Sequence, residues 1–210
     1  IWLRKRRVGS VRHTIYMLKP GNFLFSLTGL HTVELPKIFR AASGMWGIGG
    51  ESFKLRKYTV ESSYHNYDDI KDRSLSLGQL SKLEYSQLSE SRLMKKIKSL
   101  TSLVVRENDS AVVKINKIRA YLKGECDYSL KVLNAKNRSP LDNFLFYEKK
   151  GHCVLFASTF TLMLRAAGIP CRMVNGFAGG EFDSKKNLYV LRGENAHAWT
   201  EIFFDKYGWV

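Results

Sequence analysis

The sequence lacks any long apolar run. None of its 210 residues lies in a stretch that reaches the roughly 18 uninterrupted apolar residues needed to span a membrane. The basic cluster Arg4–Arg7 is not followed by an apolar segment of signal-peptide length. We therefore expect a soluble chain. Because it opens at Ile1 rather than Met and stops at Val210 in a strand-like segment, we also expect it to be part of a longer protein, with any membrane anchor outside these residues.

Cysteine is scarce as well. The three cysteines, Cys126, Cys153 and Cys171, are too few for a disulfide scaffold and show none of the paired spacings of a zinc site. The sequence also offers no phosphate-binding loop, so we expect neither a metal nor an organic cofactor. A lone reactive cysteine fits this pattern better. A bond between Cys126 and Cys171 in an oxidising compartment stays open.

Acidic residues are under-represented. The chain has 34 Lys and Arg against 19 Asp and Glu, which gives a formal net charge of +15. A basic surface suits an anionic neighbour such as nucleic acid, a lipid headgroup surface or an acidic envelope polymer, and it can equally be a solvated face without a partner. Because the sequence has no aromatic-basic recognition motif, we expect no nucleic-acid partner.

The N-terminal part reads as strands, turns and a linker. The alternating run at residues 55–62 predicts a strand, and the glycine-rich segment Ala42–Gly50 predicts an exposed loop. Residues 66–90 are polar and aperiodic, as in a linker. The sequence thus predicts a β-rich region over residues 1–65, a linker over 66–90 and a core over 91–210.

Helical periodicity marks the start of that core. Apolar residues recur at spacings of four and three in two segments, Leu93–Val104 and Ala111–Leu122. The second segment has Asp109 or Ser110 as its N-cap and Gly124 just past its predicted end.

A third helix is predicted from Cys153 to about Ala167. Its apolar residues cover most of the circumference, which is typical of a helix inside a domain, and Gly168 and Pro170 close it. Three strand-like segments follow, at 172–177, 188–192 and 196–204. The last third therefore predicts a buried helix followed by an antiparallel meander.

The start of this helix carries the candidate chemistry. A helix N-terminus stabilises the thiolate of Cys153, and the same unpaired N–H groups can bind the oxyanion of a tetrahedral intermediate. Gly151 before it allows a substrate backbone to approach closely. The required base would be His197, flanked by small alanines, with Trp199 on the same face of its strand.

Four ordered motifs resemble the core of the transglutaminase-like superfamily, over roughly Ile118 to Val210. Upstream, Tyr128-Ser-Leu and Leu141-Asp-Asn-Phe-Leu-Phe resemble the lead-in of bacterial membrane-anchored members. The core motifs are Gly151-His-Cys-Val-Leu-Phe-Ala-Ser, Leu164-Arg-Ala-Ala-Gly-Ile-Pro-Cys-Arg-Met-Val-Asn-Gly-Phe, Asn195-Ala-His-Ala-Trp-Thr-Glu-Ile and Tyr207-Gly-Trp-Val.

The resemblance implies an α+β, papain-like fold, in which a catalytic helix packs on an antiparallel sheet after a β-rich N-terminal region. It implies Cys153 and His197 as the catalytic pair. A third member, an aspartate, would follow a few residues beyond Trp209, past the end at Val210, because Asp205 does not match the family position. Substrate contacts are expected at Gly151, His152 and Trp199.

The sequence thus predicts cysteine-dependent acyl transfer on peptide or glutamine amide bonds, acting in the cell envelope on a protein or peptide substrate. We expect the domain on the extracytoplasmic side of a membrane protein. The alternative is a non-catalytic envelope domain that uses the same fold to bind peptide or glycan.

Overall fold

The computed structural model describes residues 11–18, 24–26, 30–35, 38–40, 46–48, 57–62, 85–131, 137–204 and 207–210. The chain divides into two compact units, one of residues 1–71 with 207–210 and one of residues 72–206. The predicted linker falls outside the described residues except at its end, 85–90.

The first unit is built from strands. Its strands are β1 (Val11–Tyr16), β2 (Leu30–Val33), β3 (Ile38–Arg40), β4 (Trp46–Ile48), β5 (Lys57–Ser62) and β12 (Gly208–Trp209). Strand β5 lies between β1 and β2 and pairs antiparallel with both, and β3 pairs antiparallel with β4. The side chains of Val33, Tyr58 and Val60 form its buried cluster. The predicted strand at 55–62 is thus present over Lys57–Ser62.

One prediction for this unit was wrong in part. Residues 42–50 were expected to form an exposed loop, but the described stretch Trp46–Ile48 is strand β4, in register with Arg40 to Ile38. The glycine content of the segment indicated a loop. Pairing with a partner strand overrides such local preferences.

The second unit combines helices with antiparallel strands. Its elements are α1 (Arg92–Val104), α2 (Ala111–Glu125), β6 (Asp127–Tyr128), α3 (Pro140–Asn143), a π-helical turn (Phe144–Glu148), β7 (Lys150–Gly151), α4 (Cys153–Ala166), β8 (Cys171–Phe177), β9 (Glu181–Asp183), β10 (Leu188–Val190), a 3₁₀ turn (Gly193–Asn195) and β11 (Ala196–Phe204). Helix α4 packs against α1 and α2 and against the antiparallel strands β8 and β11.

The predicted helices are present, with one boundary corrected. Ser91 and Ser110 cap α1 and α2 by accepting hydrogen bonds from the backbone N–H groups of Met94 and Val113. Gly124 was expected just past the end of α2, but the helix includes it and ends at Glu125, with Cys126 as its C-cap. Glycines that terminate helices usually adopt a positive φ. Gly124 does not, so it does not act as a helix terminator here.

Candidate active site

Cys153 is the first residue of α4. His152 precedes it as the N-cap, with extended backbone angles of φ −95° and ψ 177°, and its carbonyl accepts hydrogen bonds from the N–H groups of Leu155 and Phe156 at 3.0 and 3.2 Å. The N–H groups of a helix's first turn have no partner within the helix, and they form the positive end of its dipole. The half-buried Cys153 side chain therefore begins at the point of α4 where negative charge is stabilised.

The side chains of Phe144 and Leu155 pack closely against Gly151, the glycine that precedes this helix. A Cβ on Gly151 would lie 2.7 Å from Cδ2 of Phe144 and 2.8 Å from Cδ1 of Leu155. Strand β7 also pairs in parallel with β6 here, and the Gly151 carbonyl accepts a hydrogen bond from Ser129 N–H at 2.8 Å. The structure thus gives a reason for Gly151 that differs from the predicted substrate approach, and any larger side chain would displace the entry to α4.

Sequence reasoning missed the π-helical turn that leads into this entry. Phe144 is 1% exposed and meets the ring of Phe156 edge-on, with ring centroids 4.9 Å apart. The turn ends at Glu148, and its C-cap residue Lys149 adopts the left-handed conformation with φ 52°. Such turns recur beside functional sites. The pattern Leu141–Phe146 held no signal for it beyond its apolar content.

Helix α4 and strand β11 run in the same direction. The Thr200 hydroxyl donates to the Ala157 carbonyl at 3.0 Å and lies 3.0 Å from the hydroxyl of Thr161. Further along, the Cys171 thiol donates to the Thr161 carbonyl at 3.3 Å, and Cys171 pairs with Ile202 of β11. Residues that lie further along α4 therefore contact residues that lie further along β11, or their partners on β8.

Cys153 and His197 consequently lie at the same end of this layer. Cys153 is one helical turn, about 6 Å, before Ala157. His197 is three residues, about 10 Å of strand, before Thr200. The alternation of a strand places His197 on the face opposite Thr200. The imidazole is exposed, and within the described residues no hydrogen bond joins it to the Cys153 thiol.

The face that carries His197 is polar. It also holds Trp199 and Glu201, the next residues in the alternation, and Arg172, which pairs with Glu201 across the strands. Oε2 of Glu201 accepts hydrogen bonds from Nε and Nη2 of Arg172 at 2.9 and 2.6 Å, and Oε1 accepts one from the Trp199 indole N–H at 3.2 Å. The sequence indicated the shared face of His197 and Trp199, but not the partner on β8.

The other two cysteines are buried and free. Burial raises the pKa of the Cys171 thiol to about 12 and also raises the pKa of the Cys126 thiol. A raised pKa leaves few thiolates near neutral pH, so both are poor nucleophiles there. Cys126 and Cys171 are not paired in this structure.

The remaining predicted contacts are placed as follows. His152 is half-buried, and its side chain makes no capping hydrogen bond. Trp199 is half-buried beside His197 along β11. Asp205 lies outside the described residues. Among the described side chains, no group of three or more His, Cys, Asp or Glu could hold a metal ion, and no described helix is long and apolar enough to cross a bilayer.

The sequence matches the family model of the transglutaminase-like superfamily over residues 98–210. The chain belongs to this superfamily. Its structure agrees with the assignment: it superposes on the crystal structure of the periplasmic domain of TgpA from Pseudomonas aeruginosa with a TM-score of 0.76 at 21% identity, covering 98% of this chain and 69% of that one. The predicted α+β, papain-like fold class is thereby confirmed.

Two curated relatives of this transglutaminase-like chain are much longer than it is. The uncharacterized protein YebA of Bacillus subtilis (strain 168) is 30% identical in an alignment of 174 positions that covers 77% of this chain and 23% of YebA. A protein-glutamine gamma-glutamyltransferase of Pseudomonas aeruginosa is 40% identical over 70 residues, 33% of this chain and 10% of that protein. The chain thus spans less than a quarter of the length of YebA.

Proposed function

We propose that this transglutaminase-like protein is a cysteine-dependent acyl-transfer enzyme in which Cys153 is the nucleophile and His197 its base. One observation carries the proposal. Cys153 opens α4 at the end of the α4–β11 layer where His197 is the second residue of β11, in a chain that belongs to the transglutaminase-like superfamily. A thiol, a helix N-terminus and an imidazole at one end of a layer are the parts that acyl transfer needs.

The first half of the reaction forms a thioester. His197 takes the proton from the Cys153 sulfur, and the thiolate attacks the carbonyl carbon of a glutamine carboxamide or a peptide bond. The backbone N–H of Cys153 supports the oxyanion. The tetrahedral intermediate collapses, the C–N bond breaks, and His197 returns the proton to the departing ammonia or amine.

The second half releases the acyl group. An amine or water gives a proton to His197 and attacks the thioester carbonyl, the C–S bond breaks, and the thiol is restored. The thiol and imidazole are not hydrogen-bonded in this structure, and the alternation of β11 directs His197 away from the face that packs on α4. The proposed proton transfer therefore requires the exposed His197 side chain to turn past the start of β11 toward Cys153 when substrate binds. The orienting aspartate stays a prediction for residues beyond Val210.

We also propose that the substrate is a protein or peptide and that the domain works on the extracytoplasmic side of a membrane, anchored outside these residues. The structural likeness to a periplasmic domain supports the location. The basic cluster Arg4–Arg7 argues for the opposite side if it adjoins a span. Reporter fusions to the full-length protein decide between them, because a cytoplasmic signal from this domain contradicts the proposed location.

Thiol labelling tests the catalytic assignment. We expect iodoacetamide at neutral pH to modify Cys153 of the folded protein ahead of Cys126 and Cys171, and a peptide-amide probe to acylate Cys153 alone. His197→Gln should slow acylation by about 10²- to 10⁴-fold, the usual contribution of a general base. His13→Gln, the same substitution in β1 of the first unit, serves as the matched control.

Two results would reject the assignment. One is preferential modification of Cys126 or Cys171 while Cys153 stays inert. The other is an unchanged acylation rate in His197→Gln. Either would favour the non-catalytic alternative, a domain that binds peptide or glycan.

A further inference from the structure

The polar face of the β8–β11 pair contains a buried carboxylate that the proposed proton transfers do not use. Glu201 is 3% exposed. Its two oxygens are directed to different partners, one to the guanidinium of Arg172 and the other to the indole N–H of Trp199. A carboxylate is costly to bury unless it is paired, and charge-assisted hydrogen bonds fix the geometry of their donors. Glu201 therefore holds the indole in one orientation.

That orientation brings the indole beside His197. Gly176 is the cross-strand partner of His197, and a Cβ on Gly176 would lie 2.7 Å from Cη2 and 3.2 Å from Cζ3 of Trp199. The six-membered ring thus occupies the place of a side chain at position 176. Directly opposed residues have Cβ atoms about 4.5–5.5 Å apart, so the indole occupies the position across the strands from the His197 side chain.

We propose that Glu201, paired with Arg172, is a positioning residue that fixes the Trp199 indole over Gly176 and thereby the orientation of the His197 ring. The inference rests on the proposed role of His197 as the base. An exposed imidazole turns through a broad range about its second side-chain torsion. A fixed indole on one side restricts that range, and a glycine at 176 leaves the indole room to lie there.

The test uses a readout that does not depend on catalysis. NMR follows the ring protons of His197 in the full chain, identified by their loss in His197→Gln. In the wild type, we expect these protons to be shifted by the ring current of the indole. Trp199→Phe removes the N–H donor and should change that shift. Gly176→Ala should do the same because its methyl group displaces the indole.

Two changes at Glu201 separate positioning from stability. Glu201→Leu removes both acceptors and should change the His197 signals, whereas Glu201→Gln keeps an acceptor for the indole N–H and should restore them. In the peptide-amide assay, Glu201→Leu and Trp199→Phe should slow acylation by up to about 10²-fold, the cost of a small misplacement, with little change in KM. His13→Gln, in β1 of the first unit, should alter neither the His197 signals nor the rate.

The outcomes are distinct from those of the catalytic assignment. Unchanged His197 signals in Trp199→Phe and Gly176→Ala would overturn the positioning role, even if Glu201→Leu fails to fold. If His197→Gln acylates at the wild-type rate, the catalytic assignment fails, and the ring shifts still report whether Glu201 and Trp199 orient the imidazole.

Discussion

The two faces of the β8–β11 pair are stabilised by different kinds of interaction. The face toward α4 is mainly apolar, with Ala198, Ile202 and Phe204 each no more than 4% exposed, and it includes the Thr200 hydroxyl that donates to the Ala157 carbonyl. The opposite face carries His197, and its buried end is occupied by the Arg172–Glu201 pair. The α4 face is held mainly by apolar packing, while the opposite face depends on hydrogen bonds to a buried carboxylate.

The difference has an energetic consequence. Burying apolar area stabilises a domain without specifying direction, whereas a buried carboxylate is tolerated only with its partners in place. Substitutions on the α4 face should therefore lower the free energy of unfolding and leave the orientation of the His197 imidazole unchanged. Variants on the opposite face should cost less stability and disturb the imidazole more.

The largest effect on stability is expected at Ile202. Ile202→Ala on the α4 face should lower the free energy of unfolding by about 2–5 kcal/mol, because the removed methyl groups leave a cavity against α4. Ile202→Val should lower it by only about 0.5–1.5 kcal/mol. Denaturant titration measures both, and a loss below about 1 kcal/mol in Ile202→Ala would show that this face is not packed as described.

A pH-dependent effect of similar size is expected at Cys171, also on the α4 face. Its pKa is raised by burial from 9.0 to about 12, so the folded state holds this proton more tightly than the unfolded state. The stability that the neutral thiol contributes is complete below pH 9 and is lost as the pH rises from 9 toward 12.

The slope of stability against pH measures this contribution. At about 1.4 kcal/mol per pH unit, the wild type should lose roughly 2 kcal/mol more than Cys171→Ala between about pH 9 and 10.5. The replacement changes stability at every pH, but only the thiol adds to the slope. Parallel curves for the two proteins would contradict the raised pKa.

The smallest of the three effects is expected at Arg172. Arg172→Met removes the guanidinium hydrogen bonds to the buried Glu201 carboxylate and should lower the free energy of unfolding by roughly 1–3 kcal/mol, less than for a fully buried pair because the Arg172 side chain is 26% exposed. The double variant Arg172→Met with Glu201→Leu should regain most of that loss.

An exposed ion pair provides the control for this prediction. Arg192→Met breaks the ion pair with Glu181, in which the Arg192 and Glu181 side chains are 50% and 76% exposed. It should lower the free energy of unfolding by under about 1 kcal/mol. An equal loss in Arg172→Met and Arg192→Met would show that burial adds nothing to the Arg172–Glu201 pair.

Much of the second unit could be predicted from the sequence. Spacings of three and four specified α1 and α2, serine caps marked their starts, and an almost fully apolar run specified α4. These signals lie within one element, where the periodicity of side chains is a property of the local backbone. The Gly-His-Cys sequence at the start of α4 is also a local signal, because its three residues are consecutive in the chain.

Other features depend on neighbours far along the chain. The strand Trp46–Ile48 exists through pairing with β3, and α2 continues past Gly124 although glycine there resembled a stop. Gly151 and Gly176 are required by the rings of Phe144 and Trp199, which local patterns do not bring to them. Such requirements appear only when two elements are in contact.

The sequence by itself determined helices α1, α2 and α4, the cysteine at the start of α4, and a strand with His197 and Trp199 on one face. Only the tertiary structure decided that Arg172 pairs with Glu201, that the indole lies over Gly176, and that Cys153 and His197 share one end of the layer. The physical reason is that side-chain periodicity follows from the backbone of a single element, whereas the register and relative direction of two elements follow from the packing between them.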